Sequence, residues 1–295
     1  MWAAMQGLQA LNIEWSPGPN SGVTLAAIVS SMERASGDSA VAAVSKGDAA
    51  VAIKGAVTTL SAVYQSPFLS HSPMEPLNCT LLIQPDRAEI WVGTQGPVRA
   101  QAAVAAETGL PIARVFVNST LMGGGFGRGL EENSVRVAAA IAKQVRYPVK
   151  LVWTREEDMR HDNYRPYYYD RVAAGLNAQG RIVGRTHRVT GPSILARWAP
   201  PAFKGGLDSD AVESAAETPY EMPAELVDYV RHEPAGLTVS WWRRVGATQN
   251  VFVVESFIDE LVAAGKRDPV EFRRSMLANN PRALAVLNLA ADQAG

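Results

Sequence analysis

The sequence predicts an α+β fold of mixed α/β layers, and three observations carry that reading. From Thr80 onward, short apolar runs of strand character alternate with stretches whose apolar residues recur at helical spacing. A cluster of glycines at Gly123, Gly124, Gly125 and Gly127 stands between one such strand and one such helix. The composition is that of a chain with a core: 295 residues, 47% apolar and 19% charged, which argues against disorder.

The elements follow in order. Residues 1–66 are rich in Ala, Ser, Gly and Val and read as an N-terminal α/β segment. It carries a strand at Asn12 to Trp15, a turn at SPGPNSG and a helix from Thr24 to Ala35, where Leu25, Ile28, Val29 and Met32 share a face. In HSPMEPLN, Pro73 and Pro76 prevent a regular helix and favour an extended loop. TLLIQ and AEIWVGT are strands joined at Pro85-Asp86, and Pro97 begins a helix that Gly109 and Pro111 end. ARVFVNST is a strand, the glycine cluster follows, and a helix runs from about Glu131 to Val145. VKLVW is a further strand, and Thr154 with Glu157 forms a capping box. YYYDRVAAGL and RIVGRTHRVTG flank the turn NAQG as a hairpin. These elements make 67–196 one domain segment, 197–236 a long Pro- and Gly-rich connection, and 237–295 the start of another. The last carries a helix from Asn250 to Ala264, a second capped by Asp268 with Pro269 and Glu271, and a third from Leu284 to Ala291 whose apolar face has no obvious partner.

Charge and cysteine content narrow the chemistry. The 28 Lys and Arg against 29 Asp and Glu give a net charge of −1, and no basic block offers a footprint for nucleic acid. No apolar run of membrane-spanning length occurs. The opening residues MWAAMQGLQALNIEW lack a secretory pattern, which leaves the compartment open between cytoplasm and periplasm. The single cysteine, Cys79, permits no internal disulfide and no cysteine-ligated zinc or iron–sulfur centre.

Chemistry concentrates at three places. Around Gly123, Gly124, Gly125, Phe126, Gly127 and Arg128 the backbone can adopt positive φ and turn successive N–H groups toward one electronegative atom, beside a helix N-terminus. The cluster is neither a dinucleotide fingerprint nor a Walker loop, and a purely structural turn is the alternative. Gln95 ends a strand, where an amide can hold a ligand oxygen or merely cap a turn. In WWRRVGATQN, Arg243 and Arg244 before Gly246 suit a phosphate-bearing ligand, or form a solvated pair beside two core tryptophans.

Other candidates are weaker. His71, Glu75 and Cys79 recur every four residues, but the intervening prolines forbid the helix that would bring them together. His161, His187 and His232 are scattered and read as surface or structural residues. The charges of Arg155, Glu156, Glu157, Asp158 and Arg160 read as a solvated helix face, and Tyr164, Tyr167, Tyr168 and Tyr169 as packing residues. No GxSxG elbow suggests a hydrolase.

Taken in order, PMEPLNCT, GTQGP, MGGGFGRG, PVKLVWTREEDM, WWRRVG and ESFIDELVAAGKRDPVEFRR resemble the molybdopterin-binding large subunit of the xanthine dehydrogenase, or molybdenum hydroxylase, family. Within it the likeness is to isoquinoline 1-oxidoreductase beta subunits and related aldehyde dehydrogenases, and it runs from near Phe68 to the end. The resemblance implies a portion of the molybdenum-binding domains of an enzyme that oxidises an aldehyde or hydroxylates an N-heterocycle, with water as oxygen source. It implies a molybdenum–molybdopterin cofactor in its cytosine dinucleotide form, held without direct protein ligands to the metal. Electrons would leave to an iron–sulfur small subunit carrying [2Fe-2S] clusters, with a cytochrome c as one candidate acceptor beyond it.

By resemblance, Gln95 would hydrogen-bond the apical oxygen ligand of molybdenum. Gly124, Gly125, Phe126, Gly127 and Arg128 would form the loop beside the metal, and Arg243, Arg244 and Gly246 would line the cofactor on the other side. Two departures stand out: Gly129 follows Arg128 where close relatives carry a second arginine, and Leu130 stands where the xanthine-oxidising branch has a glutamate. A non-purine substrate is therefore expected. The family's catalytic glutamate lies in a downstream glycine-rich segment that this sequence does not reach. The expectation is an internal portion of a subunit more than twice as long, inactive alone. The alternatives are a non-catalytic α/β module whose glycine loop holds a phosphate, and an inert remnant.

Overall fold

Helix caps and alternating burial set the elements of the computed structural model, which describes residues 1–294. In chain order they are α1 (Trp2–Gln9), α2 (Leu25–Ala35), β1 (Val41–Lys46), α3 (Ala49–Lys54), β2 (Thr58–Ser66), β3 (Asn78–Ile83), β4 (Ala88–Val92) and α4 (Pro97–Thr108). There follow β5 (Val115–Ser119), α5 (Asn133–Ala142), β6 (Val149–Val152), α6 (Arg155–Arg160), β7 (Tyr168–Leu176) and β8 (Ile182–Gly191). The remainder are α7 (Ile194–Trp198), β9 (Glu225–Arg231), α8 (Ala247–Gly265), α9 (Pro269–Ser275) and α10 (Pro281–Ala294). Thr24, Thr154 and Asp268 accept backbone N–H groups at the starts of α2, α6 and α9, as their sequence signatures predict.

The chain forms two units that interleave in sequence. The first comprises 1–23, 69–165 and 236–243, and the second 24–68, 166–235 and 244–295.

In the first unit a four-stranded sheet runs in the order β5-β4-β3-β6. The β3 strand is antiparallel to both neighbours, while β4 and β5 are parallel, because α4 carries the chain back between them. Strict alternation places Cys79 and Leu81 of β3, and Ala88, Ile90 and Val92 of β4, on one face. There they pack against α4 and α5 through Val104, Val135 and Ala138. This layer fixes the ends of β4 and β5, from which the segments around Gln95 and Gly125 project.

In the second unit the order is β1-β9-β8-β7-β2, antiparallel throughout except for the parallel pair β8 and β9. Phe257, Ile258 and Leu261 of α8 cover Val172, Ala174 and Leu176 of β7. Tyr168 is buried in a neighbouring cluster with Val189 and Tyr229, and Tyr167 and Tyr169 are also buried, so the three are packing residues.

Several expectations need correction. Asn12 to Trp15 is not a strand: it has no partner strand, and Trp15 is exposed. The helix of this opening segment is instead α1, none of whose residues is buried. The stretch 197–236, read as a connection, contains β9, a central strand. Its charged residues break the apolar alternation that marks a strand, and both of its carboxylates are neutralised across the ladder. Glu225 lies opposite Arg185 and Asp228 opposite Arg188 in the β8 to β9 register, with ion pairs of 2.5 and 2.7 Å. The α6 face is not wholly solvated either, since Asp158 is buried beneath Arg155 at 2.8 Å. The α10 helix is present, and its Val286 and Leu289 are exposed. Among the described residues no helix is long and apolar enough to cross a membrane.

Candidate functional site

The glycine segment lies after β5, and two of its glycines are demanded by contact. At Gly127 φ is +108°, and a Cβ would stand 1.7 Å from the carbonyl oxygen of Trp241. At Gly125 a Cβ would fall 2.4 Å from the side-chain oxygen of Gln95. The loop is thus closed against two other segments of the first unit, and no larger residue fits. Phe126 itself has φ of 56°, a left-handed conformation costing about 1–2 kcal/mol for a residue with a Cβ. Its ring lies under the Arg243 guanidinium, 5.7 Å from it, a cation–π arrangement that offsets part of that cost.

Gln95 is turned toward the bend. Its Oε1 accepts the N–H groups of Gly127 at 3.1 Å and Gly129 at 3.2 Å, and its own N–H donates to the carbonyl of Gly129 at 2.9 Å. Two donors on Oε1 fix the amide orientation, which would otherwise be ambiguous. The Nε2 group has no acceptor among the described residues, so the side chain presents donors only. Of the two readings the sequence leaves open for Gln95, its Oε1 caps the glycine turn, and its NH₂ is left to meet a ligand oxygen. The N–H of Gly127 is likewise committed, whereas those of Gly124, Gly125 and Phe126 reach no acceptor among the described residues. Three unpartnered main-chain donors, one amide and one guanidinium therefore belong to the same unit as the bend. Such a set suits an anionic, oxygen-rich ligand.

Arg128, expected beside the ligand, is instead fully buried. Its Nε lies 2.7 Å from Asp162 Oδ1, and its Nη1 donates to Asn133 Oδ1 at 2.8 Å, at the start of α5. Burial pulls its pKa down, against the opposing charges of Asp162, Asp158 and Glu131. Asp162 also receives the Ser70 hydroxyl at 2.8 Å and the His71 main-chain N–H at 2.6 Å. Burial pushes its carboxyl up, yet the His71 hydrogen bonds and the Arg128 charge outweigh that, leaving it below the ordinary carboxylate value.

This carboxylate has a pH consequence. A carboxylate depressed in the folded state contributes stability above its unfolded pKa, near 4, and that contribution is lost as pH falls through the folded value. Glu75, which accepts from Asn78 and from the Gly123 N–H, is depressed as well, whereas burial raises Asp158 and works in the opposite sense. The urea midpoint of the chain is expected to drop between about pH 4 and pH 2. Asp162→Asn should flatten that drop, and an unchanged pH profile would contradict the assignment.

The remaining predicted residues are placed as follows. Arg244 and Gly246 belong to the second unit, where Gly246 precedes α8 and would clash with the Asp210 carbonyl, 2.0 Å away, if it carried a Cβ. Arg244 and Val245 have φ of 70° and 48°, a left-handed kink. His71, Glu75 and Cys79 do not converge: His71 binds Asp162, Glu75 binds Gly123, and Cys79 is in the core. Among the described residues no group of three or more His, Cys, Asp or Glu is arranged to hold a metal ion. The His71 and Asp162 pair escaped the sequence reading because its members are 91 residues apart.

In a mixed α/β layer, the chain thus brings together a glycine bend, a glutamine amide held by two main-chain N–H groups and an arginine over a phenylalanine. Residues 33–277 match the family described as molybdopterin cofactor-binding domain, and the chain belongs to that family. It is similar to the isoquinoline 1-oxidoreductase subunit beta of Brevundimonas diminuta, with 32% identity over 231 residues, covering 77% of this chain and 29% of that protein. It is 28% identical over 289 residues to a membrane-bound aldehyde dehydrogenase of Gluconacetobacter polyoxogenes, covering 95% of this chain and 37% of that one. Quinoline 2-oxidoreductase from Pseudomonas putida 86 has a similar fold, with a TM-score of 0.68 at 17% identity over 80% of this chain and 30% of that one. The chain thus spans about a third of the length of the relatives it matches. The fold is the α+β one that the sequence predicts.

Proposed function

We propose that this chain supplies one wall of the molybdopterin site in a molybdenum hydroxylase that oxidises an aldehyde or hydroxylates an N-heteroaromatic compound. The observation that carries the reading is the commitment of Gln95 Oε1 to two main-chain N–H groups, which leaves its amide NH₂ as a fixed donor. The open main-chain N–H groups of Gly124, Gly125 and Phe126 and the amide NH₂ of Gln95 suit the oxygens of a phosphorylated, dithiolene-bearing cofactor. When bound, that cofactor supplies the oxidation, adding a water-derived oxygen to a substrate C–H bond and taking up two electrons.

The residues of this chain bind and orient. Gln95 offers its NH₂ to an electronegative atom of the bound group, and the open N–H groups of Gly124, Gly125 and Phe126 add partial positive charge without a titratable side chain. Arg243, stacked on Phe126, provides a permanent cation for an anionic portion of the cofactor, with Arg244 and Gly246 as further cofactor contacts. The cytosine dinucleotide form is the one we assign. Relatives named as subunits support a partner protein, for which we assign an iron–sulfur small subunit that takes up the electrons. Leu130 at the bend favours an apolar substrate over a purine.

Gln95→Glu tests the reading. A carboxylate can still accept the Gly127 and Gly129 N–H groups, so stability should stay within about 0.5 kcal/mol. The donor, however, becomes a negative charge, and the molybdenum and pterin content of the chain, expressed with its iron–sulfur partner, should fall at least about tenfold. Undiminished cofactor in that variant would overturn the proposal.

A further inference from the structure

We propose that Asp162 is the positioning residue of the cofactor wall, tying the glycine loop and the Trp241 segment to one buried carboxylate through Arg128 and His71. The inference rests on the cofactor reading above only for its consequence, not for the tie itself.

Both arms of the tie are inaccessible to water. The side chains of His71, Asp162 and Arg128 are 0%, 1% and 1% exposed. One arm runs from Asp162 Oδ1 to Arg128 Nε at 2.7 Å, and Arg128 lies between the two glycines whose N–H groups hold Gln95. The other runs from the carboxylate to His71 Nδ1 at 3.0 Å, and from His71 Nε2–H to the Trp241 carbonyl at 2.8 Å. That carbonyl is the group against which Gly127 is packed, so His71 and Gly127 grip the same oxygen from two sides. Two residues beyond it, Arg243 lies over Phe126, and one residue before it, the Ser240 hydroxyl donates to Glu131 at 2.6 Å.

A buried ion pair contributes little net stability compared with an apolar replacement, and its best attested use is to fix one arrangement among several. Here the alternatives would be slides of 238–242 along the glycine loop. Asp162 holds both segments and touches neither Gln95 nor Arg243 through any hydrogen bond or ion pair in the structure. It acts through other residues, which makes it a positioning and not a catalytic residue.

The test is hydrogen–deuterium exchange of the full chain, read at 124–130, at 238–242 and, as internal reference, in β3 and β4. Asp162→Asn should raise exchange at least about tenfold in both segments while the strands stay protected. Two His71 variants leave the Arg128 arm intact and decide the matter even if Asp162→Asn fails to fold. Asparagine reproduces the Nδ1 contact but cannot reach Trp241, whereas glutamine reproduces the Nε2 donor. His71→Asn should therefore loosen 238–242 alone, and His71→Gln should restore its protection. Equal behaviour of the two His71 variants, or a loss of protection spread over β3 and β4, would show mere packing and overturn the proposal. Molybdopterin retention is measured separately in the chain co-expressed with its partner, by pterin fluorescence after oxidation. Selective loosening together with undiminished retention in Asp162→Asn would leave the tie standing and overturn the cofactor assignment of the wall.

Discussion

Replacing Gly127 with alanine is expected to destabilise the first unit by about 3–5 kcal/mol and to abolish cofactor retention. Two independent terms act together. The φ of +108° is a conformation that residues with a Cβ rarely adopt. The added methyl would also stand 1.7 Å from the Trp241 carbonyl oxygen, so either the loop or the tryptophan segment must move. The obstacle is backbone, and no rotamer change relieves it. Urea unfolding of Gly127→Ala beside Gly109→Ala separates the terms, since Gly109 also has positive φ, at +76°, but nothing within 4 Å of its absent Cβ. The Gly109 variant should show the conformational cost alone, about 1 kcal/mol. Equal losses in the two would show that the Trp241 contact contributes nothing.

The second large effect is expected at Arg128. Arg128→Met preserves length and bulk but leaves Asp162 buried with one fewer cationic partner, a situation that typically costs about 3–5 kcal/mol. Adding Asp162→Asn to that background should recover part of the loss, because the uncompensated charge is removed along with its partner. The measurement is a double-mutant cycle in urea midpoints. A double variant as unstable as the sum of the singles would mean that the two side chains act independently.

Much of this architecture was legible in the amino-acid sequence, for identifiable reasons. Pro97, Gly109, Thr154 and Asp268 are local punctuation whose meaning does not depend on tertiary context, and each stands at the helix end that it predicts. The β7 and β8 hairpin was readable because its partners are adjacent in sequence. The β9 strand was not, since its pairing with β1 bridges well over a hundred residues and its two carboxylates are balanced by arginines of β8. The same limit applies at the bend. That the glycines and Gln95 belong together followed from the family resemblance, since residue chemistry alone left Gln95 open between a ligand contact and a turn cap. That Arg128 points inward could not be read, because its counter-charge, Asp162, becomes a neighbour only through the fold. The resemblance placed Arg128 in the loop beside the metal, and in the fold its side chain is buried against Asp162.

The grip of the main chain on Gln95 has an evolutionary and a chemical corollary. Since peptide groups and not side chains set which end of the amide faces outward, neighbouring residues can drift without inverting the polarity of that end, provided the loop path survives. That end of the amide accordingly stays a donor for as long as Gly127 and Gly129 keep their N–H groups on Oε1.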